Sequence, residues 1–66
     1  MRTTAAAELA AAADIVGTYR RRVADLVGPH LGSNHEDVVA AIYEAERALR
    51  TAERMLQRAH KIAEAP

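Results

Sequence analysis

Six residues in the first half of the chain, Leu9, Ala12, Val16, Tyr19, Val23 and Leu26, follow one another at spacings of 3, 4, 3, 4 and 3. After Gly28-Pro29, eight more continue at 4, 3, 4, 3, 4, 3 and 4: Val38, Ile42, Ala45, Leu49, Ala52, Leu56, Ala59 and Ala63. Alternating steps of three and four keep side chains on one side of an α-helix, as the a and d positions of a heptad. Two such seams separated by a Gly-Pro break predict an all-α fold. The expected form is an antiparallel helical hairpin of two long helices, a single domain spanning residues 1–66.

The local signals set the boundaries. Thr3 or Thr4 is placed to cap a first helix over about 4–27, because a threonine hydroxyl accepts a bond from a free amide of the first turn. Gly28 is read as the left-handed residue that ends it, and Pro29 as the residue that forbids continuation. A connection over about 28–33 suits antiparallel neighbours. Ser33-Asn34-His35-Glu36 matches a capping box, and opens a second helix expected over about 34–64. Within the helices, Arg21 with Asp25 and Glu46 with Arg50 stand one turn apart and are expected to pair.

Folding the seams together places Leu9 opposite Leu56, Ala12 opposite Ala52, Val16 opposite Leu49 and Tyr19 opposite Ala45. Val23 meets Ile42, and Leu26 meets Val38 beside the turn. The large Tyr19 then faces the small Ala45, and Arg20 and Glu46 fall on one flank within reach of each other. Ile15, Val27, Val39, Met55 and Ile62 lie beside the seam. On the second helix the row Ala41, Ala48, Met55, Ile62 widens the stripe to an a/d/g face, the width used by bundles of more than two helices.

Composition turns that width into a requirement. Sixty-six residues bring five Leu, three Ile, five Val, two Met and two Tyr against sixteen Ala, with no Phe, Trp or Cys. A chain this small buries only about 60% of its unfolded surface. Scaffolds of this size are rescued by disulfides, a metal or association. Without cysteine, association is the expected route. Two hairpins forming a homodimeric four-helix bundle, with coiled-coil packing, is the simplest form. A heteromeric protein partner is the competing one. The expected interface comprises Leu9, Ile15, Val16, Tyr19, Val23, Val39, Ile42, Leu49, Met55, Leu56 and Ile62.

The formal charge is zero, which supplies no global attraction to nucleic acid or acidic lipid. No apolar run reaches the roughly 18 residues of a membrane span. Glu8 and Asp14 interrupt the Ala-rich start, unlike a standard signal-peptide core. The absence of cysteine fits a cytoplasmic protein, with secretion by another route left open. Arg outnumbers Lys eight to one, a bias common in small bacterial proteins from GC-rich genomes.

The one constellation with binding chemistry is basic. Arg47, Arg50, Arg54, Arg58 and Lys61 form a stripe on the second helix, with Tyr43 at its end. Such a stripe suits a phosphate backbone or an acidic partner. Glu44, Glu46, Glu53 and Glu64 flank it and weaken its field. Arg20, Arg21 and Arg22 fan around the first helix and are expected to pair with glutamates at the seam flanks. His30 and His35 bracket the turn beside Glu36 and Asp37 at no recognised ligand spacing, so no metal or other cofactor is expected. The single serine is accounted for as a cap, and no catalytic residue is identified. The chain is therefore read as a non-enzymatic protein–protein interaction module, structural, adaptor or regulatory, acting through an apolar helical face. In length and hairpin shape it resembles the Rop-type hairpins that dimerise and bind paired RNA hairpins. That resemblance implies the alternative role of a nucleic-acid-binding regulator using the Arg stripe.

Overall fold

The computed structural model describes residues 4–30 and 35–65. Helix α1 runs Thr4–Asp25, a single turn α2 runs Val27–His30, and α3 runs Glu36–Glu64. The described residues contain no strand. Helices α1 and α3 pack along their lengths, and α2 packs on α3. The result is an antiparallel hairpin with Cα extents of 54 × 13 × 10 Å, a rod one helix thick.

The first helix ends at Asp25, two residues before the expected limit, and the proline explains where. A continuing helix would need the amide of residue 29 to bond the carbonyl of residue 25. Pro29 has no such amide, and its ring crowds that carbonyl. The chain therefore breaks one turn upstream, where the Leu26 amide bonds Val23 O at 3.1 Å in a tightened turn. It then resumes as α2 with both Gly28 and Pro29 inside it. Gly28 does not adopt the left-handed conformation expected of it. Pro29 falls in the first turn of α2, where its missing amide costs nothing.

Helix α3 starts at Glu36, with His35 at its N-cap and the first bond running from the Val39 amide to His35 O at 3.1 Å. Glu36 and Asp37 stand in the first turn, where the helix dipole favours them. The cap proposed for Thr3 and the capping-box residue Ser33 lie outside the described residues. At the far end the Ala65 amide closes on Ile62 O at 3.2 Å.

Each helix meets its neighbour along one flank of its heptad seam. With Leu9 and Ile42 taken as a positions, the e positions are Ala6, Ala13, Arg20 and Val27 on α1, and Val39, Glu46, Glu53 and His60 on α3. Ala6, Ala13, Gly17, Val27 and Glu46 are buried, and the a positions Leu9, Val16, Val23, Ile42, Leu49, Leu56 and Ala63 are half-buried. The d positions near the turn face outward: Tyr19 and Leu26 are each 51% exposed, and Ala45 and Val38 are exposed, whereas Ala12, Ala52 and Ala59 are half-buried. Contacts therefore pair Ala6 with His60 and Arg20 with Glu46. Tyr19 does not fill a closed layer against Ala45, nor Leu26 against Val38. No large side chain is fully buried among the described residues.

Candidate interaction surface

The flank that closes within the chain is built from charge. Arg20 lies between two glutamates spaced two turns apart on α3. Its Nε donates to Glu53 Oε1 at 3.0 Å and its Nη1 to Glu46 Oε2 at 3.4 Å. Arg50 donates to the same Glu46 oxygen at 2.7 Å, so the expected Glu46–Arg50 and Arg20–Glu46 pairs both form. The Arg20, Glu46 and Glu53 side chains are only 23%, 12% and 20% exposed, which limits solvent screening. The bond to Glu53, and then that to Glu46, holds the Arg20 guanidinium above the ordinary arginine pKa, against an opposing desolvation cost. A guanidinium that bridges two carboxylates on one helix fixes the sliding register of the other.

Gly17 completes this cluster. A methyl group there would lie 2.6 Å from Glu53 Oε2, so the missing side chain is the space that the Glu53 carboxylate occupies. In the sequence Gly17 registers only as a weak point in a helix. Its role emerges once α3 is laid against it. Arg21 donates to the Thr18 hydroxyl at 3.4 Å rather than pairing with Asp25, and Thr18 Oγ1 in turn donates to Asp14 O at 3.0 Å. At the open end, His60 Nδ1 lies 2.8 Å from Ala6 O. A carbonyl only accepts, so Nδ1 carries the proton. His60 Nε2 lies 3.4 Å from Glu64 Oε1, an ion pair when the ring is protonated.

The opposite flank is open and apolar. On α1 the d and g positions read Ala5, Glu8, Ala12, Ile15, Tyr19, Arg22 and Leu26. On α3 they read Val38, Ala41, Ala45, Ala48, Ala52, Met55, Ala59 and Ile62. In an antiparallel hairpin these two flanks turn to the same side, because the e flanks of both helices already face one another. Ile15 is 57% exposed, and Met55 and Ile62 are each 65% exposed. Arg22 lies over the Tyr19 ring, 5.2 Å from its centre. Of the expected interface residues, Ile15, Tyr19, Met55 and Ile62 share this exposed face. Leu9, Val16, Val23, Val39, Ile42, Leu49 and Leu56 are half-buried along the α1–α3 contact.

A globular monomer of 7.2 kDa is expected to expose about 4100 Å². This chain exposes 5101 Å², as its elongated shape requires.

The Arg stripe is exposed throughout, at Tyr43, Arg47, Arg50, Arg54, Arg58 and Lys61. Arg50 is committed to Glu46, whereas Arg47, Arg54, Arg58 and Lys61 make no ion pair among the described residues. An open cleft of about 370 Å³ near the turn is lined by Arg20, Ala24, Val27, Gly28, Tyr43, Glu46 and Arg50. Both of its guanidinium groups bond Glu46 and Arg20 also bonds Glu53, so two cations are balanced by two carboxylates. Among the described residues no three His, Asp or Glu side chains gather around a common metal position. His35 occupies the N-cap position of α3 without a side-chain cap bond, and the side chain of His30 lies outside the described residues. No described helix is long and apolar enough to cross a membrane. No protein-family model, curated protein or solved structure matches the chain.

Proposed function

We propose that this protein is a small interaction module without catalytic activity. It works by burying the exposed apolar flank of its hairpin against another helical surface, with two hairpins forming a four-helix bundle. The observation that carries this reading is the pairing of a nearly empty core with an excess of apolar surface. The buried set is Ala6, Ala13, Val27, Gly17 and Glu46, while Ile15, Tyr19, Leu26, Met55 and Ile62 stand in water. Each such large side chain returns about 1.5–3 kcal/mol when it is fully buried.

The test is Met55→Asp. Its side chain touches little within the hairpin, so the substitution acts on association. Sedimentation or light scattering is expected to show loss of assembly at concentrations where the unaltered chain associates. Assembly retained by Met55→Asp would remove this face from the account. Arg47, Arg54, Arg58 and Lys61, without an ion pair among the described residues, favour one second reading, binding to nucleic acid. Arg54→Glu/Arg58→Glu is the cleaner variant for it, because Arg50 is already paired with Glu46. This variant is expected to assemble normally. Affinity for RNA that falls steeply with salt and is lost in the variant would establish the second role.

A further inference from the structure

The geometry points to one specific occupant of the open flank and one orientation: a second copy of this chain, its turn at the opposite end, with α1 on α1 and α3 on α3 about a two-fold axis at Ile15. This rests on the interaction reading above and adds the identity and direction of the partner.

The hairpin leaves its g positions exposed. On α1 they are Glu8, Ile15 and Arg22, all exposed, and neither Glu8 nor Arg22 makes an ion pair among the described residues. An acid and a base lie equal distances either side of Ile15. A second α1 laid antiparallel across Ile15 brings Glu8 of each copy to Arg22 of the other, twice. The same operation brings Ala12 within one residue of direct opposition to Tyr19 and Ala5 within one residue of Leu26, small near large.

On α3 the g positions are Ala41, Ala48, Met55 and Ile62, again all exposed. An antiparallel second α3 centred between Ala48 and Met55 sets Ala48 against Met55 and Ala41 against Ile62. The intervening d positions Ala45, Ala52 and Ala59 permit close approach. The two patterns are independent, one of charge and one of size, and they must share a single axis. The contacts of Ala6 with His60 and Arg20 with Glu46 put Ile15 level with Thr51, midway between Ala48 and Met55, and the contacts of Gly17 and Arg20 with Glu53 put it further along α3, from Met55 to Arg58.

The alternative two-fold, with both turns at one end, lays α1 over α3 of the second copy. Glu8 and Arg22 then face the row of Ala41, Ala48, Met55 and Ile62, which offers no charge to either. A two-fold interface is self-complementary by construction, and only the first arrangement satisfies both helices.

Charge reversal tests this directly. Glu8→Arg and Arg22→Glu each place like charges together twice, and each is expected to weaken the homodimer by about tenfold. The double variant E8R/R22E recreates both pairs and is expected to return within roughly threefold of the unaltered chain. Mixing the two single variants is expected to give a heterodimer in preference to either homodimer. Ile15→Cys, in a chain that has no other cysteine, is expected to yield a covalent dimer with a short thiol crosslinker. Efficient crosslinking together with rescue by the double variant supports the proposal. A dimer that neither crosslinks at position 15 nor recovers in E8R/R22E overturns it and leaves the interaction reading standing. An unaltered chain that stays monomeric at hundreds of micromolar overturns both.

Discussion

The two flanks of the heptad seam differ in how they are satisfied. The e flank carries Arg20, Glu46, Glu53 and His60, and each of these polar groups finds its partner within the chain. The g flank carries Ile15, Ala48, Met55 and Ile62, which meet only solvent. One flank is closed, by small apolar residues and a charged cluster, and the other is open, and apolar apart from Glu8 and Arg22. This is the reverse of a self-sufficient domain, in which the apolar surface is closed first. The closed flank fixes direction and register: a guanidinium between two carboxylates sets where α3 lies along α1. The open flank holds the unrealised burial energy. In this division of labour the hairpin is aligned by charge, and on the proposed reading it is stabilised by assembly.

The largest effect on that contrast is expected from Met55→Asp, which puts a charge into the centre of the open flank. Loss of association is predicted, and with it loss of cooperative thermal unfolding by circular dichroism. An intermediate effect is expected on the closed flank. Arg20→Ala leaves Glu46 and Glu53 without their shared partner. Its thermal midpoint should fall more than that of Arg50→Ala, because the Arg50 side chain is 55% exposed and supports Glu46 alone. Equal midpoints for the two variants would show that the Arg20 bridge does not set the register.

The smallest effect is the most specific. Alanine is better than glycine in a helix by about 1 kcal/mol. At Gly17, however, the added methyl displaces the Glu53 carboxylate that holds Arg20. Gly17→Ala is therefore expected to be near neutral in the unaltered chain and stabilising by about 1 kcal/mol when Glu53 is alanine. A double-mutant cycle by urea unfolding measures the coupling. Equal effects in both backgrounds would detach Gly17 from the cluster.

The sequence makes the hairpin legible because heptad spacing and a Gly-Pro break are strong local signals. Glu46–Arg50 is legible as an i,i+4 pair, and Arg20–Glu46 follows from the antiparallel fold. The direction of the seam was harder to read. The apolar stripe of each helix is wider than the single contact that the hairpin supplies. The a and e positions therefore make the contact inside the chain, and Tyr19 and Leu26 are left outside it. The break at Asp25 depends on a bond that Pro29 cannot make four residues back, so the breaking residue and the break are separate in the sequence. Gly17 and Glu53 stand 36 positions apart, and their fit appears only when the helices are laid together.

The central claim is that folding and assembly are one event, because the core that stabilises α1 and α3 is completed only between chains. Solution mass and helicity recorded across one dilution series test it most directly. The account predicts a mass of twice 7.2 kDa at high concentration, with mass and helical signal falling together as the chain is diluted. A chain of 7.2 kDa that keeps its full helicity and a cooperative melt at micromolar concentration would contradict it.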